Sequence, residues 1–95
     1  RKLEIARAMA TDPKLLLLDE PAAGMNPNET EELMNTIRFV RDNFDMTILL
    51  IEQNAVMALK ISDYAYVLEL GKISIEGTGR ELLANEAVKK AYLGI

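Results

Sequence analysis

The sequence predicts an α/β fold with parallel strands, a crossover helix, and a C-terminal β-hairpin accompanied by short helices. Two continuous apolar runs, residues 15–18 (LLLL) and 46–51 (MTILLI), are typical of parallel strands that are covered on both faces. A helical segment separates them, and the order strand–helix–strand is that of a right-handed crossover unit. Farther along, two strand-like runs meet at Gly71, which predicts the hairpin.

The first predicted element is a helix. Its apolar residues Leu3, Ala6 and Ala10 recur at helical spacing. Residues 11–13 (TDP) end it, because the residue before a proline avoids helical backbone angles. The chain has no initiator methionine and begins inside this helical pattern, so we expect it to be part of a longer protein.

The long middle helix has a complete start signal. Asn26 is predicted as the N-cap, Pro27 as the first helical residue, and Glu29 as the reciprocal partner in a capping box. The start of the helix is acidic and its end is basic, as the helix dipole favours. Its inward stripe is predicted to consist of Leu33, Ile37 and Val40.

The second half of the chain predicts a short helix, the hairpin and further capped helices. Thr78 and Glu81 fit a second capping box, and Asn85 fits the N-cap of a last helix that ends near residues 91–94 (AYLG). The elements before them are a helix that follows residues 52–54 (EQN) and ends near Ile61, and hairpin strands over residues 64–70 and 72–77.

Composition limits the classes of function. Of the 95 residues, 49% are hydrophobic and 27% are charged, a balance that favours a packed core over disorder. The net charge is −4 and no basic cluster is longer than a pair, so a nucleic-acid-binding surface is not expected. The sequence has no cysteine and no histidine, which excludes disulfides, thiol catalysis and zinc sites built from those ligands.

Two carboxylates, Asp19 and Glu20, directly follow the first apolar run. They either end the strand in solvent or belong to a site, because charge is rarely buried without a partner or a metal. In open α/β sheets, ligands bind beyond the carboxyl ends of the parallel strands. There one carboxylate can hold Mg²⁺, directly or through water, while its neighbour orients a water for phosphoryl transfer.

Several motifs resemble those of ATP-binding-cassette (ABC) ATPases. Residues 15–21 (LLLLDEP) are similar to the Walker B segment, and residues 22–27 (AAGMNP) stand where that family has its D-loop. Residues 1–21 are similar to the stretch after the family's signature motif, and residues 71–78 (GKISIEGT) match its Gly-x-x-x-x-Glu-Gly-Thr ending. The resemblance implies a partial P-loop NTPase-like unit. It covers essentially the whole chain, but only the C-terminal part of such an ATPase.

The resemblance also implies roles for three polar residues. Asp19 would support Mg²⁺, directly or through water, and Glu20 would be the general base. Gln53 stands at the switch position, where the family usually has histidine, and would donate an amide hydrogen bond to the γ-phosphate of ATP. The alternative for Gln53 is a plain polar residue at a strand end.

The D-loop implied by the resemblance consists of Ala23, Gly24, Met25 and Asn26. Asn26 stands where the family usually has aspartate. We favour its role as a helix cap over a contact with a second subunit. Pro21 and Gly24 are expected to set the geometry of the loop rather than to touch a ligand.

Two motifs of a complete ABC ATPase are missing from the sequence. The 95 residues contain neither a Gly-x-x-x-x-Gly-Lys-Ser/Thr phosphate loop nor the signature motif. We therefore expect residues 1–95 to be the C-terminal part of an ABC ATPase domain, with the Walker B, D-loop and switch segments. The chain alone is expected to be inactive.

The finer resemblance is to the two ATPase subunits of branched-chain amino-acid importers. It rests on AGMNP and on the terminal AYLG. Residues 19–33 resemble one of these subunits, whereas the chain from residue 51 onward resembles the other, so a hybrid chain is one interpretation. The resemblance implies ATP and Mg²⁺ as cofactors, and a second ATPase subunit and membrane permease subunits as partners. It also implies a peripheral position on the cytoplasmic face of the cell membrane.

Two other function classes stay open at this point. One is a non-catalytic α/β module, natural or recombined, that only folds or binds a partner. The other is a soluble ABC ATPase, such as a relative that acts in DNA repair. The acidic charge and the importer-like tail count against this last alternative.

Overall fold

A computed structural model describes residues 5, 7, 9, 14–44 and 46–94, which divide into two units, Arg1–Gln53 and Asn54–Ile95. At the start of the first unit Ile5, Arg7 and Met9 are helical, as predicted. The other residues that predicted this helix and its end lie outside the described residues: Leu3, Ala6, Ala10 and residues 11–13.

The first unit contains a parallel strand pair and a long helix between the strands in sequence. Strand β1 (Leu15–Asp19) and strand β2 (Thr47–Ile51) pair in the same direction, with Leu15 opposite Thr47 and Asp19 opposite Ile51. Helix α1 (Pro27–Asn43) connects them. The predicted parallel pair with its connecting helix is therefore confirmed, although β2 begins at Thr47 rather than at Met46.

Helix α1 begins at the predicted capping box. The Asn26 side-chain oxygen accepts a hydrogen bond from the Glu29 N–H at 2.9 Å, and the Asn26 N–H donates to Glu29 Oε1 at 3.2 Å. Pro27 is the first helical residue, a position whose N–H has no acceptor within the helix. The buried stripe includes Met34 in addition to the predicted residues Leu33, Ile37 and Val40.

One face of the parallel strand pair is exposed. Leu16 is 5% exposed, whereas Leu17 and its strand partner Leu49 are 59% and 52% exposed. The prediction that both faces are covered is therefore wrong for the described residues. A single crossover helix can lie against only one face of a sheet. The apolar composition of a strand predicts that both faces are covered, but it does not say whether the covering residues belong to the same 95-residue chain. The exposed leucine face consists of Leu15, Leu17, Leu49 and Ile51.

The second unit combines a hairpin with short helices. Its described elements are α2 (Ala55–Ile61), β3 (Ala65–Glu69), β4 (Lys72–Gly77), α3 (Gly79–Ala84) and α4 (Glu86–Val88), with a wider helical turn over Lys89–Leu93. The core cluster of this unit consists of Leu59, Leu82 and Val88, and the strand residues Ala65, Val67 and Ile75 pack against it. Within the described ranges, no helix has both the length and the apolar character needed to cross a membrane.

Gly71 lies in the hairpin turn as predicted, but the first strand ends at Glu69, so that Leu70, which was expected in the strand, belongs to the turn as well. Strands β3 and β4 are antiparallel, and Leu70 and Gly71 connect them. Both residues have positive φ, 51° and 75°, as a two-residue type I′ turn requires. Glycine adopts this conformation freely, whereas Leu70 adopts it against the usual preference of residues with a side chain.

Side-chain caps begin the helices of the second unit. The Thr78 N–H donates to Glu81 Oε1 and the Glu81 N–H donates to Thr78 Oγ1, both at 3.1 Å, which confirms the second capping box. The hydrogen bonds with the Thr78 backbone and side chain lower the pKa of Glu81 below its ordinary value. Asn85 accepts from the Val88 N–H at 3.0 Å and caps the last helix as predicted, and Asn54 caps α2.

The exposed leucine face predicts self-association of the 95-residue chain, because a contiguous apolar face in water favours burial against another copy. The weight-average sedimentation coefficient should rise with protein concentration. The double substitution Leu17→Glu and Leu49→Glu should lower it toward the value of a monomer. Leu70→Glu, at the exposed hairpin tip, is the matched control and should leave association unchanged. A monomer at every concentration would contradict the prediction.

Candidate functional site

The candidate site lies where the two parallel strands end. Asp19 is the last residue of β1 and stands opposite Ile51, the last residue of β2. Glu20 follows β1 directly, and Glu52 and Gln53 follow β2. The pairing therefore brings the two predicted carboxylates and the predicted switch residue to the same edge of the sheet. Asp19 and Gln53 are exposed, whereas Glu20 is half-buried.

Glu20 has an unusual backbone conformation. Its φ is 46°, a left-handed value that residues with a side chain seldom adopt. Two main-chain hydrogen bonds hold it there: the Glu20 N–H donates to the Ile51 carbonyl at 2.6 Å, and the Ala23 N–H donates to the Glu20 carbonyl at 3.1 Å. Strained backbone of this kind persists only where neighbouring groups fix it, and it is concentrated at functional sites.

The segment after Glu20 forms two successive tight turns. Pro21 occupies the second position of the first turn, which proline favours, and both Pro21 and Ala22 are buried. In the second turn the Met25 N–H donates to the Ala22 carbonyl at 3.1 Å, and Gly24 has a φ of 74°. The expectation that Pro21 and Gly24 set the geometry of this loop is confirmed. Ala23 is exposed.

Asn26, the last residue of the predicted D-loop, is the N-cap of α1. Its side-chain oxygen accepts the Glu29 N–H and thereby satisfies one of the free donors at the helix start. The predicted cap is therefore confirmed. Asn26 is exposed, and it lies at the junction between the loop and helix α1.

Glu52 is a site residue that sequence reasoning missed. Its Oε1 accepts a hydrogen bond from the Ala22 N–H at 3.0 Å, across 30 positions of sequence. This bond joins the loop after β1 to the end of β2. The available signal was a carboxylate directly after the second apolar run, in the position that Asp19 and Glu20 occupy after the first.

The donors at this edge fit a magnesium ion that is held mainly by a phosphate ligand. Among the described residues, no group of three or more acidic side chains converges on one point. Mg²⁺ bound to a nucleotide needs only one or two carboxylates, because phosphate oxygens and water complete its octahedral shell. The exposed Asp19 at the strand end meets that requirement.

Known proteins with similar sequences are ATP-binding proteins of amino-acid transport. The chain is 49% identical over 99% of its length to the high-affinity branched-chain amino acid transport ATP-binding protein LivG of Salmonella typhimurium. It is 48% identical over 97% of its length to the protein BraG of Pseudomonas aeruginosa, which carries the same description. The chain spans only 37% and 39% of the length of these two relatives. No protein-family model matches the sequence.

Solved structures with the same fold are ABC ATPases. Over 94% of its length, the chain is similar to cbiO1 of Clostridium perfringens, part of the ABC transporter complex cbiONQ, with a TM-score of 0.80 and 28% identity. Over 99% of its length, it is similar to the ADP conformation of MJ1267, an ATP-binding cassette of an ABC transporter, with a TM-score of 0.79 and 32% identity. These matches span 36% and 39% of the two solved chains. The chain is thus homologous, over almost its whole length, to a part of the branched-chain amino acid transport ATP-binding proteins, and it has the fold of a part of an ABC ATPase.

Proposed function

We propose that these 95 residues are the C-terminal part of an ATP-hydrolysing subunit that powers ABC import of branched-chain amino acids. The observation that carries the proposal is the meeting of Asp19, Glu20 and Gln53 at the carboxyl ends of two paired parallel strands. Ligands of open α/β sheets bind at such edges. The relatives that match nearly the whole chain carry names that state ATP binding and branched-chain amino acid transport.

In the proposed reaction, a water oxygen attacks the γ-phosphorus of ATP, and the bond from that phosphorus to the β–γ bridging oxygen breaks. ADP and inorganic phosphate leave. Glu20 accepts the proton of the attacking water, and Gln53 donates an amide hydrogen bond to a γ-phosphate oxygen. Asp19 would hold Mg²⁺, directly or through a water, and the ion would offset negative charge on the phosphates.

The proposed assembly has two kinds of partner for this chain, a second ATPase subunit and membrane permease subunits. Residues Ala23, Gly24, Met25 and Asn26 form the D-loop in this proposal and face the second ATPase subunit. Permease subunits in the membrane are the further partners, which places the ATPase on the cytoplasmic face of the membrane. The names of the solved relatives, a part of an ABC transporter complex and an ATP-binding cassette of an ABC transporter, support such an assembly.

The 95-residue chain alone should not bind ATP appreciably. It has no phosphate loop whose N–H groups and lysine could surround the phosphates, and Asp19 and Glu20 repel a polyanion. Isothermal titration calorimetry with Mg-ATP measures this directly, and a full-length subunit that contains the same residues is the positive control. Micromolar binding by the chain alone would contradict the prediction and would require a different phosphate site.

Glu20→Gln in a full-length subunit should retain ATP binding and nearly abolish turnover. Glutamine keeps the shape of the side chain but cannot accept a proton from water, and loss of a general base lowers the rate by about 10²–10⁴-fold. Steady-state phosphate release gives the turnover, and nucleotide titration gives the affinity. The matched control is Glu31→Gln, the same chemical change on the exposed side of α1. If Glu20→Gln turns over like the unsubstituted subunit, Glu20 is not the base.

Gln53→Ala in the full-length subunit should remove one donor to a charged phosphate. The expected loss is about 1.5–3 kcal/mol, on the order of tenfold to a hundredfold in rate. Gln53→His should support turnover but should add a pH dependence between about pH 6 and 8, because the ordinary pKa of histidine is about 6.5. ATPase rates across that pH range measure both effects. If Gln53→Ala has the parental rate, Gln53 is only a polar residue at a strand end.

A further inference from the structure

Two hydrogen bonds join the chain just after β1 to the end of β2, one through a main-chain carbonyl and one through a side chain. In a parallel pair, alternate N–H groups of one strand donate to main-chain carbonyls of its neighbour at even spacing. The Glu20 N–H makes such a bond to the Ile51 carbonyl at 2.6 Å. Two residues farther on, inside the tight turn, the Ala22 N–H donates to the Glu52 carboxylate at 3.0 Å.

The Ala22 N–H needs this acceptor. Ala22 is only 9% exposed, and a buried N–H without a partner is strongly unfavourable. The Ala22 carbonyl is also engaged, because it accepts the Met25 N–H at 3.1 Å. Ala22 therefore connects the two successive turns of the loop. A bond from Ala22 to the end of β2 fixes both turns relative to the sheet.

The same bond bears on the conformation of Glu20. Glu20 is held at a φ of 46° between its bond to Ile51 on one side and the turn through Pro21 and Ala22 on the other. If Ala22 is released, the turn loses its attachment to β2 and the left-handed conformation of Glu20 loses one of its supports. The direction of the Glu20 carboxylate depends on that conformation.

We propose that Glu52 is a positioning residue for ATP hydrolysis. Its carboxylate accepts the Ala22 N–H and thereby fixes the Glu20 carboxylate and the loop through Asn26. The proposal rests on the proposed function of Glu20 for its effect on turnover. The acceptor role itself stands on the Ala22 contact alone.

The acceptor role is tested by amide hydrogen exchange of the 95-residue chain, read by NMR at Ala22. Glu52→Ala should speed exchange of this amide by about tenfold or more, because a charge-assisted bond is lost. Glu52→Gln keeps a side-chain oxygen at the same position and should preserve the protection. Rapid Ala22 exchange in the unsubstituted chain, or equal exchange in Glu52→Ala, overturns the assignment.

The effect on catalysis is tested in a full-length subunit that contains these residues. Misplacement of a catalytic group by about 1 Å lowers the rate by up to about a hundredfold, so kcat of Glu52→Ala should fall at least about tenfold. The KM for ATP should stay within about threefold, because the residues that hold the phosphates are unchanged. Glu52→Gln should restore kcat. If Glu52→Gln is as slow as Glu52→Ala, the carboxylate acts through its charge and the positioning role is wrong.

Glu81→Ala is the matched control. Like Glu52→Ala, it removes a carboxylate that accepts a backbone N–H, here the Thr78 N–H at 3.1 Å. Glu81 lies in the second unit, Asn54–Ile95, and Glu52 lies in the first. Glu81→Ala should lower stability without changing kcat or Ala22 exchange. If Glu52→Ala loses Ala22 protection yet keeps its kcat, the positioning role is overturned while Glu20 can still be the base. If Glu20→Gln stays active while Ala22 protection depends on Glu52, the proposed function fails and the structural contact stands.

Discussion

The parallel pairing of β1 with β2 is the constraint on which the candidate site depends. Asp19 and Ile51 end their strands opposite each other, so the residues that follow both strands start from the same edge. A shift of the pairing by one residue would turn every side chain of the shifted strand to the other face of the sheet. Asp19 would then lie on the side of Leu16, which is almost completely buried, where a carboxylate without a partner is strongly disfavoured.

The way in which β1 ends also determines what the site can do. An extended chain would carry Glu20 onward along the sheet, but its left-handed φ turns the chain aside after a single further ladder bond. Pro21 and Gly24 then form two tight turns that bring the chain to the N-cap Asn26. The chain thus passes from β1 to α1 within a few residues, and hydrogen-bonded turns hold the segment that carries Glu20.

Local signals made much of the fold predictable from the sequence. Both capping boxes, Asn26 with Glu29 and Thr78 with Glu81, join residues three positions apart and could be read without knowledge of the tertiary structure. Contacts between distant residues could not. The Ala22–Glu52 bond spans 30 positions, and the sequence around either residue does not predict the contact with the other. The motif resemblance located Asp19, Glu20 and Gln53 because it carries such non-local information with it.

The wrong prediction about strand coverage has a consequence for the candidate metal ligand. Side chains alternate between faces along a strand, so Asp19 lies on the same face as Leu15 and Leu17, the exposed one. Any layer that covers these leucines excludes water from the surroundings of Asp19 as well. The attraction between a carboxylate and a cation strengthens as the local dielectric constant falls. If Asp19 holds the cation as proposed, coverage of the leucine face and the strength of cation binding are therefore coupled through the geometry of a single strand.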